Sequence, residues 1–217
     1  MSKTRVAVLI SGRGTNMTAL IEAARDVSYP AEIALVLSNR PQAAGLAAAR
    51  ASAIATAVVD HVPFGANREA FERAVQDVLA AHRIEIVCLA GFMRLLTPWL
   101  IERWQGRMIN VHPALLPAFK GLDTHARALA AGVKVHGATV HFVTSEMDSG
   151  PIIVQGAVGV REDDTADMLA ARVLAVEHRI YPAALAWLAA RRVTIVGDRC
   201  RIDGVRGPDH DLIAPAP

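Results

Sequence analysis

Asn110, Val111, His112 and Pro113 close a short apolar run that begins at Met108. On an extended strand, residues two apart point to the same side, so the Asn110 amide and the His112 imidazole share a face. An amide donor beside an imidazole can hold a developing oxyanion and move a proton. In open α/β sheets, ligands collect beyond the carboxyl ends of the strands, which is where this pair falls. An isolated histidine at a strand end usually does no more than bond a carbonyl, and the chain has 8 histidines. The neighbouring amide is what favours chemistry here.

Ser11-Gly12-Arg13-Gly14-Thr15-Asn16 follows the apolar run Val6–Ile10 and opens a helical pattern. Glycines let the backbone turn sharply and approach a ligand, and a helix start offers N–H groups to an anion such as phosphate. The third glycine of a dinucleotide fingerprint is missing, as is the Lys-Ser/Thr ending of a Walker loop. Without a ligand the same residues read as a tight strand-to-helix turn with Thr15 or Asn16 as N-cap. Asp148 sits in a polar loop, Thr144–Pro151, where Asp148-Ser149-Gly150 also suits an ordinary turn. It acquires a chemical meaning only if that loop folds beside His112, and spacing does not decide this.

The elements that must position these residues follow from periodicity. Val6–Ile10, Ile33–Leu37, Ala53–Val59, Ile86–Ala90 and Met108–Val111 are short and apolar on both faces, as in strands of a sheet covered on both sides. Between them, Thr15–Arg25, Gln42–Arg50 and Arg68–His82 read as helices, the last with Phe71, Val75, Val78 and Leu79 on one face. Alternating strands and helices predict an α/β, Rossmann-like, mostly parallel sheet flanked by helices. The second half adds two strands, Ala138–Val143 and Ile152–Val158, predicted as antiparallel additions. A helix follows over about 166–192, with Leu169, Val173, Val176 and Ile180 on one face and Pro182 expected to kink or split it. Val193–Val196 and Arg199–Ile202 flank Gly197-Asp198 and predict a hairpin. A flexible tail is expected over 206–217.

The chain has 217 residues, 53% of them hydrophobic and 20% charged, enough for one sizeable core. Its formal charge of +2, with no Lys/Arg block, argues against binding to nucleic acid by charge. The two cysteines, Cys88 and Cys200, support neither a disulfide scaffold nor a Cys-based metal site. A signal peptide needs an apolar stretch of about 7–15 residues and a membrane helix about 20, more than Val6–Ile10 supplies. The expectation is a soluble, cytoplasmic, single globular protein with no metal.

Several separated stretches together resemble the phosphoribosylglycinamide formyltransferases, a folate-dependent formyltransferase family. They are Ser11–Asn16, Leu89–Leu96, Asn110–Gly121, His136-Gly137, Val140–Val143, Asp148–Pro151 and Glu177–Pro182, in order over about 5–205. The resemblance implies transfer of a formyl group from N10-formyltetrahydrofolate, as co-substrate, to the amine of glycinamide ribonucleotide in purine synthesis. It implies that Asn110, His112 and Asp148 are catalytic, that Gly14, Thr15 and Asn16 hold the substrate phosphate, and that Glu177 binds the ribonucleotide. It further implies a folate pocket lined by Arg68, Met93, Arg94, Leu95, Leu96 and Asn110, and by Thr144, Ser145, Glu146, Met147 and Asp148. Met93, Leu95 and Leu96 would otherwise read as ordinary core. The implied organisation is one domain, with a ribonucleotide-binding half over about 1–110 and a catalytic, folate-binding half over about 111–205. The partners are the two small molecules, with no nucleic acid and no membrane; a homodimer is open.

Two positions depart from the family pattern: Ala114, where a serine is common, and Asp123, where a histidine is common. Neither touches the three residues implied to be catalytic. Rival readings are another formyl-folate enzyme, such as a deformylase, a methionyl-tRNA formyltransferase, or a non-catalytic nucleotide-binding module. The last would leave Asn110, His112 and Asp148 without a reason.

Overall fold

The computed structural model describes residues 3–205 together with Gly207 and Ala214. The tail expected over 206–217 therefore lies largely outside the described residues. Seven strands form one sheet, in the order Thr56–Val58, Ala31–Ser38, Thr4–Ile10, Ile86–Leu89, Met108–His112, Val135–Phe142 and Ile152–Gly159, and two more form a separate hairpin. The chain divides into two units, one running to Asn110 and including Phe142–Ser145, the other comprising Val111–His141 and the chain from Glu146.

The first unit is the parallel part. Its elements are β1 (Thr4–Ile10), α1 (Thr15–Ala24), β2 (Ala31–Ser38), α2 (Ala44–Ala51), β3 (Thr56–Val58), a 3₁₀ turn (Val62–Phe64), α3 (Arg68–Ala81), β4 (Ile86–Leu89), α4 (Pro98–Arg103) and most of β5 (Met108–His112). β1 pairs in parallel with both β2 and β4, and β4 with β5. All four residues of β4 are buried, as are Val6–Ile10 of β1. Both faces of these strands meet apolar side chains, which is why their sequences do not alternate. Phe71, Val75 and Leu79 of α3 join Leu9, Leu37, Val87 and Trp104 in one core. β3 is shorter than its apolar run, because Ala53 turns the chain at φ 57° and its N–H closes back on Arg50. α4 and α5 (Thr124–Ala130) have only 6 and 7 residues and show no extended periodicity from which to predict them.

The second unit carries α5, β6 (Val135–Phe142), β7 (Ile152–Gly159), α6 (Ala166–Ala189), β8 (Val193–Val196) and β9 (Arg199–Ile202). β6 and β7 are antiparallel, as are β8 and β9. Ala128, Ala138, Leu169 and Val173 form its core. A Cβ at Gly156 would sit 2.2 Å from Val176 Cγ1, so glycine is what lets α6 lie against β7. Pro182 does not split α6. Tyr181, Ala184 and Leu185 beside it are fully buried, and that packing outweighs one missing helical donor. Among the described residues, no helix is long and apolar enough to cross a membrane.

Candidate active site

Strand order reverses between β1 and β4, so the loops that follow these two strands leave the sheet in opposite directions. That divergence opens a crevice at the carboxyl ends, the usual place for a ligand in such sheets. A cavity of about 280 Å³ lies there, lined by Ser11–Asn16, Arg40, Ala90, Gly91 and Met93. Gly14, not Thr15 or Asn16, is the N-cap of α1, and no side chain caps the helix. The reason is conformational: Gly14 takes φ 73°, a left-handed backbone that lets β1 turn directly into α1. The intrahelical ladder starts with Thr18 N–H on Gly14 O, so the first-turn N–H groups precede it at the cavity edge. The loop is fixed from outside by Gly45, whose N–H donates to Gly12 O at 3.0 Å.

The Gly91–Leu96 stretch is also tied to this loop. Ser11 N–H donates to Gly91 O at 3.1 Å, and Ser11 Oγ accepts Met93 N–H at 2.8 Å while donating to Asn39 Oδ1 at 2.6 Å. Met93 and Leu95 are each 63% exposed. The ordinary-core reading of these residues holds only for Leu96, which packs on the first-unit core. Arg94 is half-buried, and its Nε has no hydrogen-bond partner. Arg68 opens α3 behind an N-cap, Asn67, whose side chain accepts Ala70 N–H at 3.0 Å.

In the second unit, His112 is 5% exposed at the end of β5. Its Nε2 lies 3.0 Å from Phe119 O. A carbonyl only accepts, so Nε2 carries a proton. Nδ1 faces Asp148 Oδ2 at 3.4 Å, an arrangement complementary to a ring protonated on both nitrogens. Asp148 sits at φ 51° with its side chain only 11% exposed. Its carboxylate accepts Gly121 N–H at 2.9 Å and lies 3.9 Å from His141 Nε2. The loop thus folds beside His112, the condition the sequence left open. Lys120 holds the same loop through Glu146, at 3.2 Å, and through Ser149 Oγ.

The turn after His112 is held by a buried polar network. Thr139 Oγ1 donates to Ala114 O at 2.7 Å and accepts Leu116 N–H at 3.0 Å, and Thr124 Oγ1 donates to Pro113 O at 2.7 Å. Ala114 is fully buried and takes part through its carbonyl, so its missing hydroxyl leaves this network intact. Asp123 is the N-cap of α5 at φ 55°, with no side-chain capping bond. His136 lies edge-on to Phe119 and His125, and burial together with the charge of His125 pushes its pKa down to about 4. Burial likewise lowers His125 and His178.

The structure thus brings His112 and Asp148 together. Arg68, the Met93–Leu96 segment, Asn110, Thr144, Ser145 and the Gly14–Asn16 loop lie in the first unit; Glu146, Met147 and Glu177 lie in the second, Glu177 buried in α6. Ser11, Phe119, Lys120, Gly121 and His141 all lie in stretches the sequence singles out, but residue type gave none of them a role of its own. Phe119 and Gly121 act through backbone atoms, which no residue type announces.

Residues 4–185 match the formyl transferase family. The chain is 47% identical over 92% of its length to the trifunctional purine biosynthetic protein adenosine-3 of Bos taurus, and spans 20% of that protein. It therefore covers about a fifth of the length of such trifunctional relatives. It is 40% identical over 96% of its length to the phosphoribosylglycinamide formyltransferase of Escherichia coli, covering 98% of that protein. The crystal structure of glycinamide ribonucleotide transformylase 1 from Symbiobacterium toebii superposes with a TM-score of 0.89 at 45% identity, covering 92% of this chain and 94% of that one. With more than half of its length matched and a relative of its own size at this identity, the chain belongs to the formyl transferase family.

Proposed function

We propose that this chain transfers the formyl group of N10-formyltetrahydrofolate to the amine of glycinamide ribonucleotide, giving formylglycinamide ribonucleotide and tetrahydrofolate. The observation that carries this reading is the pairing of His112 Nδ1 with Asp148 Oδ2 at 3.4 Å, with Nε2 already committed to Phe119 O. The amine attacks the formyl carbon and forms a tetrahedral intermediate bearing an oxyanion. Donors fixed in advance are what such an intermediate needs. Asn110 supplies an N–H donor, and protonated His112, its two ring nitrogens held by Phe119 O and Asp148, supplies positive charge, while Asp148 keeps the ring oriented. Collapse breaks the bond between the formyl carbon and the folate nitrogen, and the proton lost by the amine passes to that nitrogen through a water held by Asp148.

In this reading Gly14, Thr15 and Asn16 receive the phosphate at the start of α1, and Glu177 binds the rest of the ribonucleotide. Arg68, Met93–Leu96, Asn110 and Thr144–Asp148 serve the folate. The reaction proceeds in the cytoplasm on free small molecules, by a monomer or a homodimer, without metal, nucleic acid or membrane. The test is direct assay. Incubation with formyl-folate and glycinamide ribonucleotide should yield formylated ribonucleotide and tetrahydrofolate in equal amounts. Formate release without ribonucleotide consumption would instead identify a deformylase.

A further inference from the structure

Glu72 is a charged residue on the buried face of α3, 1% exposed, where a helix normally presents an apolar side chain. Its Oε1 accepts Thr97 N–H at 2.6 Å, and its Oε2 accepts the Thr97 hydroxyl. Thr97 is the N-cap of α4 and a residue type suited to capping, yet it makes no capping bond. Its hydroxyl is given to Glu72 instead. Burial pushes the Glu72 carboxyl up, while the bonds from Thr97 and the charge of Arg68 oppose that shift. A carboxylate buried in this way is destabilising unless its partners are kept, so its place in the fold implies a purpose for those partners.

The partners lie at one end of an irregular stretch, residues 92–97, that belongs to no helix or strand. Ser11 Oγ holds the other end at Met93 N–H. Between these two ties, Met93 and Leu95 stand exposed. Arg68 lies one turn before Glu72 on α3, and its charge reaches the Glu72 carboxylate.

We propose that Glu72 is a positioning residue for the formyl-folate site, holding the Met93–Leu96 segment in its ligand-accepting shape through Thr97. This rests on the folate reading of Arg68 and Met93–Leu96. Glu72 itself touches no substrate; it acts by denying the segment alternative conformations, so its loss weakens folate binding far more than ribonucleotide binding.

The test compares two variants with the wild-type enzyme. Glu72→Met keeps the volume and removes both acceptors; the KM for formyl-folate should rise about tenfold or more, as expected for losing bonds to a charged group. The ribonucleotide KM should stay within about twofold, since Glu72 bonds the segment at Thr97, the end away from the tie between Met93 N–H and Ser11 Oγ. Glu72→Gln can still accept Thr97 N–H and donate to the Thr97 hydroxyl, so it should restore nearly wild-type KM. If Glu72→Met does not fold, Thr97→Val removes only a half-buried hydroxyl and should raise the folate KM alone. An unchanged folate KM in the folded variants, or an equal rise for both substrates, overturns the inference. Wild-type protein that binds no reduced folate overturns the folate reading itself, and the inference with it. A wild type that binds folate, with variants that bind it equally well, overturns the inference only.

Discussion

Asp148 Oδ2 holds two groups at once, the Nδ1 of His112 at 3.4 Å and the backbone N–H of Gly121 at 2.9 Å. The second bond sets the carboxylate independently of the histidine, so the imidazole meets an acceptor already in place. Phe119 O fixes the opposite side of the ring. Groups arranged like this act as a unit, and units give non-additive kinetics. Asp148→Asn and His112→Ala should each lower kcat by about 10²–10⁴-fold, with ligand affinity largely kept. The double variant should be little slower than the worse single one. Multiplying losses in steady-state assays would show that Asp148 acts independently.

Gly14 offers a separate handle on the ribonucleotide. At φ 73°, a side chain there is strained, and a Cβ would approach Gly45 Cα and Met17 Cε at 3.2 Å. Gly14→Val should distort the loop that opens α1 and raise the ribonucleotide Kd by about tenfold or more, given the conformational penalty of a left-handed valine. Calorimetry with a reduced folate should show that ligand nearly unaffected. Equal weakening of both ligands would point to general unfolding of the first unit.

Arg68 is expected to serve only the folate. Arg68→Ala should raise the KM for formyl-folate several-fold while leaving the ribonucleotide KM unchanged, in line with the loss of a solvent-screened charge contact of about 1 kcal/mol. A selective effect on the ribonucleotide would mean that the two ligands have been assigned to the wrong residues.

His136 makes stability depend on pH. Its pKa is about 4 in the fold against an ordinary 6.5, so the unfolded chain binds the extra proton first as pH falls. Its contribution is therefore intact above pH 6.5 and lost progressively from there down to about pH 4. The full loss is roughly 3–4 kcal/mol on the conversion of one pKa unit to about 1.4 kcal/mol. Thermal melts of wild type should show Tm falling across that window. His136→Phe keeps an aromatic ring against Phe119 and His125 and should flatten the fall; an identical pH slope in the variant would exclude His136 as its source.

The apolar runs at Val6–Ile10 and Ile86–Leu89 and the α3 face at Phe71, Val75 and Leu79 were legible in the sequence, because burial on two faces or on one stripe leaves a direct imprint on composition. The tight strand-to-helix turn at Ser11–Asn16 was legible too, because glycine marks a sharp turn by residue type, although its N-cap is Gly14 and not Thr15 or Asn16. Asp148 was visible only as a turn residue, and its placement against His112 came from the fold of a loop 36 positions away in the chain. Phe119 and Gly121 act through a carbonyl and an N–H that every such residue possesses, so no sequence pattern marks them. Glu72 would be read on α3 as one more solvated charge among Glu69 and Arg73; only the packing of α4 brings Thr97 to its carboxylate. Local sequence determines which elements form and which side chains are chemically capable. Long-range packing decides which of those side chains meet, because the contacts depend on where distant backbone lies once the core is closed.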